Sequence, residues 1–257
     1  MIRFCFLSPS VADCDHPPTD EEIQKAISAL KNAPGDSGIC PPIWKALAGN
    51  EETFNLLRQI IFHFWETEVT PEEWEIGLLK ILPKKGDLSL PGNYRGIMLL
   101  ETAYKIVSFI MHSRLLPIEK EVDLESQCGF RPGRGCTDAN FNVRMAMKKR
   151  REHGLESWIL FIDLVKAFDR VPRELLWAIL RKFGVPEKLI RLLEAMHRQV
   201  VVKFNVSGVE RTLGCTIGVK QGDVLGPILF LFYIALIMLT WRKAYNREVC
   251  IFRTRQD

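Results

Sequence analysis

Val224 to Trp241 run without a charged residue and are strongly apolar. A stretch near ~18 residues of this kind either crosses a bilayer or fills the middle of a protein. That choice decides much of the architecture. Pro227 can open a helix, and the pattern predicts one over about 227–243. Arg242, Lys243 and Arg247 would suit the cytoplasmic side if the helix spans a membrane. The interior alternative needs a chain able to enclose it. With 257 residues, 47% of them hydrophobic, there is material for one large domain or two small ones.

Candidate covering elements follow from hydrophobic period. Thr19 and Glu22 form a capping box ahead of Ile23, Ala26, Ile27 and Leu30. The turn-rich segment 32–38 stops that helix. Phe54, Leu57, Ile61 and Phe64 predict a helix over about 51–65. Thr70-Pro71-Glu72-Glu73 reads as another capping box. Residues 76–82 read as a strand, 84–94 as a polar turn, and 102–115 as a helix. Gly184-Val185-Pro186 separates two further helices. Val200–Val206 and Arg211–Thr216 predict a hairpin around Ser207-Gly208. Residues 1–18 show no period and read as an irregular leader. Its apolar patch, Phe4–Leu7, is too short for a signal-peptide core.

Seven scattered cysteines form no Cys-x-x-Cys, and the five histidines form no His-Glu-x-x-His. This argues against a disulfide framework or zinc knuckle and for a reducing intracellular compartment, nuclear or cytoplasmic. A net charge of +4 is compatible with nucleic acid without indicating it.

Three segments carry chemistry. Trp158-Ile159-Leu160-Phe161-Ile162 has the pattern of a strand buried on both faces and runs directly into Asp163. A carboxylate there needs a partner or must be neutral. On this segment alone, a salt bridge and a metal-ligand role both stand. Gly218-Val219-Lys220-Gln221-Gly222-Asp223 precedes the apolar helix and permits close backbone approach. It is equally an ordinary loop-to-helix junction. Two strands joined by the predicted turn would place Lys84 or Lys85 near Arg95, where a basic pair suits a triphosphate or a solvated hairpin.

Taken in order, these segments resemble the reverse transcriptase family in its non-LTR retrotransposon (LINE-type) branch. Pro83-Lys84-Lys85-Gly86-Asp87 with Asn93-Tyr94-Arg95 matches the fingers motif. Gln127-Cys128-Gly129-Phe130-Arg131-Pro132-Gly133-Arg134-Gly135 matches the block Q-x-G-F-R-P-G-R-G. Phe161–Asp169 matches F-I-D-x-x-K-A-F-D, and Gly218–Pro227 matches G-x-x-Q-G-x-x-L-S-P. Upstream, Ala33-Pro34-Gly35-Asp36-Ser37-Gly38 matches A-P-G-x-D-G. Five ordered blocks over about 19–257 make chance a poor explanation.

The resemblance implies an α+β fold, reverse-transcriptase-like, with fingers at about 19–150 and a partial palm at 151–257. It implies RNA template, DNA primer and deoxynucleoside triphosphates as partners, with Mg2+ as cofactor. Asp163 takes the place of the first catalytic, metal-binding aspartate. Phe168 takes that of the residue that excludes a 2′-hydroxyl. Lys84, Arg95, Gln221 and Gly222 match nucleotide-binding positions, and Arg131 and Arg134 suit a nucleic-acid backbone. Ser37, Gly96, Met98 and Gly226 depart from the usual residues. The family's Tyr/Phe-x-Asp-Asp hairpin has no counterpart, because the sequence contains no Asp-Asp pair. The segment Ile251–Asp257 resembles what lies just upstream of that hairpin. The expectation is therefore a fragment that does not polymerise alone. The rivals are a non-catalytic RNA-binding remnant, using Lys148, Lys149, Arg150 and Arg151 as well, a relic without a role, or a membrane protein anchored by residues 224–241.

Overall fold

The computed structural model describes residues 14–31, 33–122, 125–206 and 208–244. The apolar stretch folds as helix α9 (Leu225–Ala244). By length and composition it could cross a membrane, but half of its apolar window is buried within the protein. Leu225, Ile228, Leu229, Phe230, Phe232 and Ile234 lie in one core with α5 (Thr102–Val122) and α7 (Arg173–Lys182). Each such side chain contributes about 1.5–3 kcal/mol by leaving water. The interior alternative therefore describes this helix, and the membrane reading is not favoured.

Helix α5 is its main partner and is buried on most sides, through Tyr104, Ile106, Val107, Ile110, Met111, Leu115 and Ile118. It runs past the expected end at 115 and through Pro117. Helix α1 (Asp20–Ala29) lies against α5 and carries the predicted capping box at Thr19 and Glu22. Arg114 on α5 anchors this corner. Its guanidinium donates to both Glu22 oxygens (2.8 and 2.7 Å) and to the carbonyls of Cys14 and His16. It also stands over the Trp65 ring at 4.7 Å. Burial alone would raise the Glu22 carboxyl, but Arg114 and the Thr19 N–H together outweigh it and hold the group below its usual range.

Helices α2 (Pro41–Leu47) and α3 (Glu51–Thr67) follow, α3 burying Phe54, Leu57, Ile61 and Phe64 as its period required. The Thr70 capping box does not form. Helix α4 is a single turn, Glu72–Glu75, without a side-chain cap. The helix starts one residue later than that box requires, with Pro71 at the cap position, and proline has no side-chain oxygen to accept an N–H. Strand β1 (Ile76–Pro83) pairs antiparallel with β2 (Tyr94–Leu99), and parallel with β3 (Val201–Val206). Strand β4 (Val209–Gly214) completes the predicted hairpin and the sheet order β2-β1-β3-β4. Ser207 of its turn lies outside the described residues, as do residues 1–13 of the leader and the segment Ile251–Asp257. Helices α6 (Cys136–Glu152), α7 and α8 (Glu187–Arg198) complete the fold.

One prominent expectation is overturned. Residues 158–162 form no strand, and are exposed rather than buried on both faces. Trp158 is 92% and Phe161 78% accessible. Apolar composition favours burial, but a strand also needs a neighbouring backbone, and none of the four strands in the sheet pairs with this run. The palm strand expected to end in Asp163 is therefore absent from the sheet among the described residues. Asp163 is exposed too, so the cost of burying an unpaired carboxylate does not arise.

Candidate functional site

The Gly218–Asp223 loop ties distant motifs together through its backbone. Gly218 N–H donates to the Val171 carbonyl (2.9 Å), and Val219 N–H to that of Phe168 (3.0 Å). On the far side, Met98 N–H of β2 donates to the Gln221 carbonyl (2.8 Å). Arg173 donates to the carbonyls of Gly218 (2.8 Å) and His197 (2.6 Å), fastening the loop to α7 and α8. Two glycines make this closeness possible. Gly218 has φ +84, and a Cβ there would stand 2.7 Å from the Asp169 carbonyl oxygen. Gly222 has φ +112, and a Cβ there would stand 2.5 Å from that of Met98. The Phe168 turn, the Gln221-Gly222 pair and the β1–β2 hairpin thus meet at one loop.

Beneath the loop lies a buried polar cluster that sequence reasoning missed. Lys220 is 2% and Asp223 5% accessible. The Tyr104 phenol donates to Asp223 Oδ2 (2.8 Å), while the Leu225 N–H reaches Oδ1 (3.3 Å) and so caps α9. Lys220 Nζ stands 4.0 Å from the Tyr104 ring centroid and donates to the Trp74 carbonyl (3.4 Å). Burial pulls the Lys220 ammonium down to about 8 against the pull of Asp223. Burial likewise raises the Asp223 carboxyl, opposed by Lys220 and Tyr104. Tyr104 is pushed well above its usual value by burial and by Asp223. His197, buried behind them, is held down to about 3 by burial. Asp223 before an apolar helix could have been read as a cap. The pairing with Tyr104, far away in sequence, left no trace there.

Phe168 stacks on Phe230 of α9 (centroids 4.9 Å, 24° between planes) and meets Phe130 nearly at right angles (5.6 Å, 86°). Its position also bears on Gly226. A Cβ there would stand 2.9 Å from the Lys220 carbonyl oxygen, so the usual serine would require the loop to shift. Ser37 has a similar explanation. Its N–H and hydroxyl donate to the buried Glu101 carboxylate (2.7 and 2.6 Å), where an aspartate would oppose like charge.

The basic pair falls at the end of the β1–β2 hairpin. Arg95 pairs in register with Leu82, and Lys84 N–H donates to the Asn93 carbonyl (2.7 Å). Lys84 and Arg95 are thus diagonal neighbours, both exposed, as the turn reading expected. Lys84 Nζ donates to the Gly92 carbonyl (3.1 Å). Arg131 donates to Gln127 (3.3 Å) and Arg134 to Glu125, both backbone carbonyls of their own loop. Asp163 stands apart from this assembly on the exposed run and makes no hydrogen bond or ion pair among the described residues. No group of three His, Cys, Asp or Glu side chains suited to a metal occurs among the described residues. A lone carboxylate does not hold two adjacent dications, so these donors do not amount to a two-metal site.

Comparison with known proteins agrees with the assembled blocks. Residues 82–253 match the family described as reverse transcriptase (RNA-dependent DNA polymerase). The chain is 34% identical over 168 residues to the transposon TX1 uncharacterized 149 kDa protein of Xenopus laevis, covering 65% of this chain and 13% of that one. It is 28% identical over 214 residues to the retrovirus-related Pol polyprotein from type-1 retrotransposable element R2 of Popillia japonica, covering 82% and 29%. It is 27% identical over 258 residues to the probable RNA-directed DNA polymerase from transposon X-element of Drosophila melanogaster, covering 91% and 27%. The chain thus spans under a third of the length of these relatives. It belongs to the reverse transcriptase family, on the non-LTR retrotransposon side to which its ordered blocks pointed.

Proposed function

We propose that this chain is the nucleotide-holding portion of an RNA-directed DNA polymerase domain, with fingers at about 19–150 and a partial palm at 151–257 of a right-hand architecture. The observation that carries the reading is the loop whose backbone bonds join Phe168, Gln221 and β2. In this reading Lys84 and Arg95 receive the triphosphate of an incoming deoxynucleotide, Lys84 as a point charge and Arg95 as a planar fork. Gln221 and Gly222 line the nucleotide and template pocket. Phe168 faces the sugar, where a stiff ring leaves no room for a 2′-hydroxyl. Arg131 and Arg134 lie along the backbone of the RNA template or DNA primer.

Nucleotidyl transfer in this class uses divalent ions, Mg2+ as a rule, clamped by carboxylates. Asp163 is the candidate ligand here. Without an Asp-Asp pair in the sequence, the chain alone binds nucleotide and does not extend a primer. The test is a binding titration of dGTP beside a primer-extension assay on an RNA template. Expected are saturable dGTP binding, about tenfold weaker in Lys84→Glu and in Arg95→Glu, and no extension. Extension by the purified chain would overturn the two-carboxylate argument. Binding indifferent to both substitutions would overturn the assignment of the basic pair.

A further inference from the structure

The 127–134 loop meets the Phe168 turn through Phe130. Phe130 has φ 62, a left-handed conformation that a bulky side chain rarely adopts. Its loop is braced by bonds from Gln127 Nε2 to the Gly129 carbonyl (3.0 Å) and from Arg131 to the Gln127 carbonyl (3.3 Å). Backbone held in such a conformation needs something to hold it, and such residues cluster at functional sites. The ring it presents is nearly perpendicular to Phe168. Lys166, which opens the Phe168 turn, is also left-handed, at φ 51. The remaining freedom of Phe168 is limited. Its carbonyl is held by Val219 and one ring neighbour, Phe230, is 1% accessible and fixed in the core. Phe130 is the neighbour that comes from a surface loop and is 36% accessible.

We propose that Phe130 is a positioning residue for sugar selection: it fixes the Phe168 ring between itself and Phe230, and so sets how strongly a ribonucleotide is rejected. The proposal rests on the reading of Phe168 as the residue that faces the sugar. Rejection of one hydroxyl by a side chain depends on that side chain not moving aside. A ring stacked on one neighbour alone can swing away, whereas a ring bounded by two cannot. Phe130 itself touches no substrate in this scheme.

The experiment measures dGTP and GTP dissociation constants for the full chain, and takes their ratio as the readout. Wild type prefers dGTP, and Phe168→Ala abolishes the preference. Phe130→Ala lowers the ratio at least threefold by tightening GTP relative to dGTP. Phe130→Leu, which keeps apolar volume without a flat ring, lowers it as well and serves if the alanine variant does not fold. Phe130→Tyr preserves it. A purely structural role would weaken both nucleotides equally and leave the ratio unchanged. Loss of preference in Phe168→Ala with an intact ratio in both Phe130→Ala and Phe130→Leu overturns the proposal alone. An intact ratio in Phe168→Ala, or no nucleotide binding by the wild type, overturns the reading of the sugar site and this inference with it.

Discussion

Asp163 and Asp223 each border an apolar run, yet the fold treats them oppositely. Asp223 is buried, bonded to Tyr104 and to the first amide of α9, and belongs to a loop that reaches two other motifs. Asp163 follows an apolar run that is itself exposed, and lies in solvent. The difference is one of neighbours. The Gly218–Asp223 loop lies between elements already packed on α5 and α9, so its backbone groups find partners. The 158–162 run lies beyond the sheet formed by β1 to β4, so its backbone groups do not. Among the described residues, backbone bonds join the Phe168 turn, the Gln221 loop and β2, and Asp163 is not joined to them.

The largest effect that would break this contrast falls on the loop. Gly222→Val forces a Cβ against the Met98 carbonyl and is expected to cost about 3 kcal/mol or more, read from urea denaturation. Gly214→Ala, where the added methyl meets open space, should stay within about 0.5 kcal/mol.

A smaller effect is electrostatic. Lys220 titrates near 8 when folded and at its ordinary 10.5 when unfolded. Between these values the unfolded chain binds more protons, so stability rises with pH. The urea midpoint should therefore climb from about pH 8 to pH 10. Lys220→Met should remove most of that rise. Lys105, also pulled down by burial, supplies a lesser part with the same sign. A midpoint equally pH-dependent in Lys220→Met would mean that the ammonium is solvated. The smallest effect belongs to the exposed run. Phe161→Ser should change stability by less than about 0.5 kcal/mol, because the ring is already largely in water. A loss near 3 kcal/mol would show that the run is buried.

What could be read in advance was mostly local. The Thr19 cap, the β1–β2 and β3–β4 hairpins and the period of α3 depend on residues close in sequence, and all formed. The Thr70 cap does not form because the helix starts one residue later, which leaves Pro71 at the cap position. The 158–162 strand failed because apolar composition specifies a wish for burial and says nothing of the strand that would supply it. The blocks around Phe168 and Gln221 were visible as motifs. What holds them together was not. Lys220 over Tyr104 and Arg173 on the Gly218 carbonyl are meetings of single charges with distant partners, and such pairs have no periodic signature.

Residue-resolved amide hydrogen exchange on the full chain tests the central contrast most directly. Amides Met98, Gly218 and Val219, which close the loop, should be slowed on the order of a hundredfold or more, while those of residues 158–162 exchange near the rate of an unstructured peptide. Strong protection across 158–162, at or above that of Gly218 and Val219, would contradict the account: it would place Asp163 at the end of a paired strand and make the carboxylate side of the site as well formed as the other.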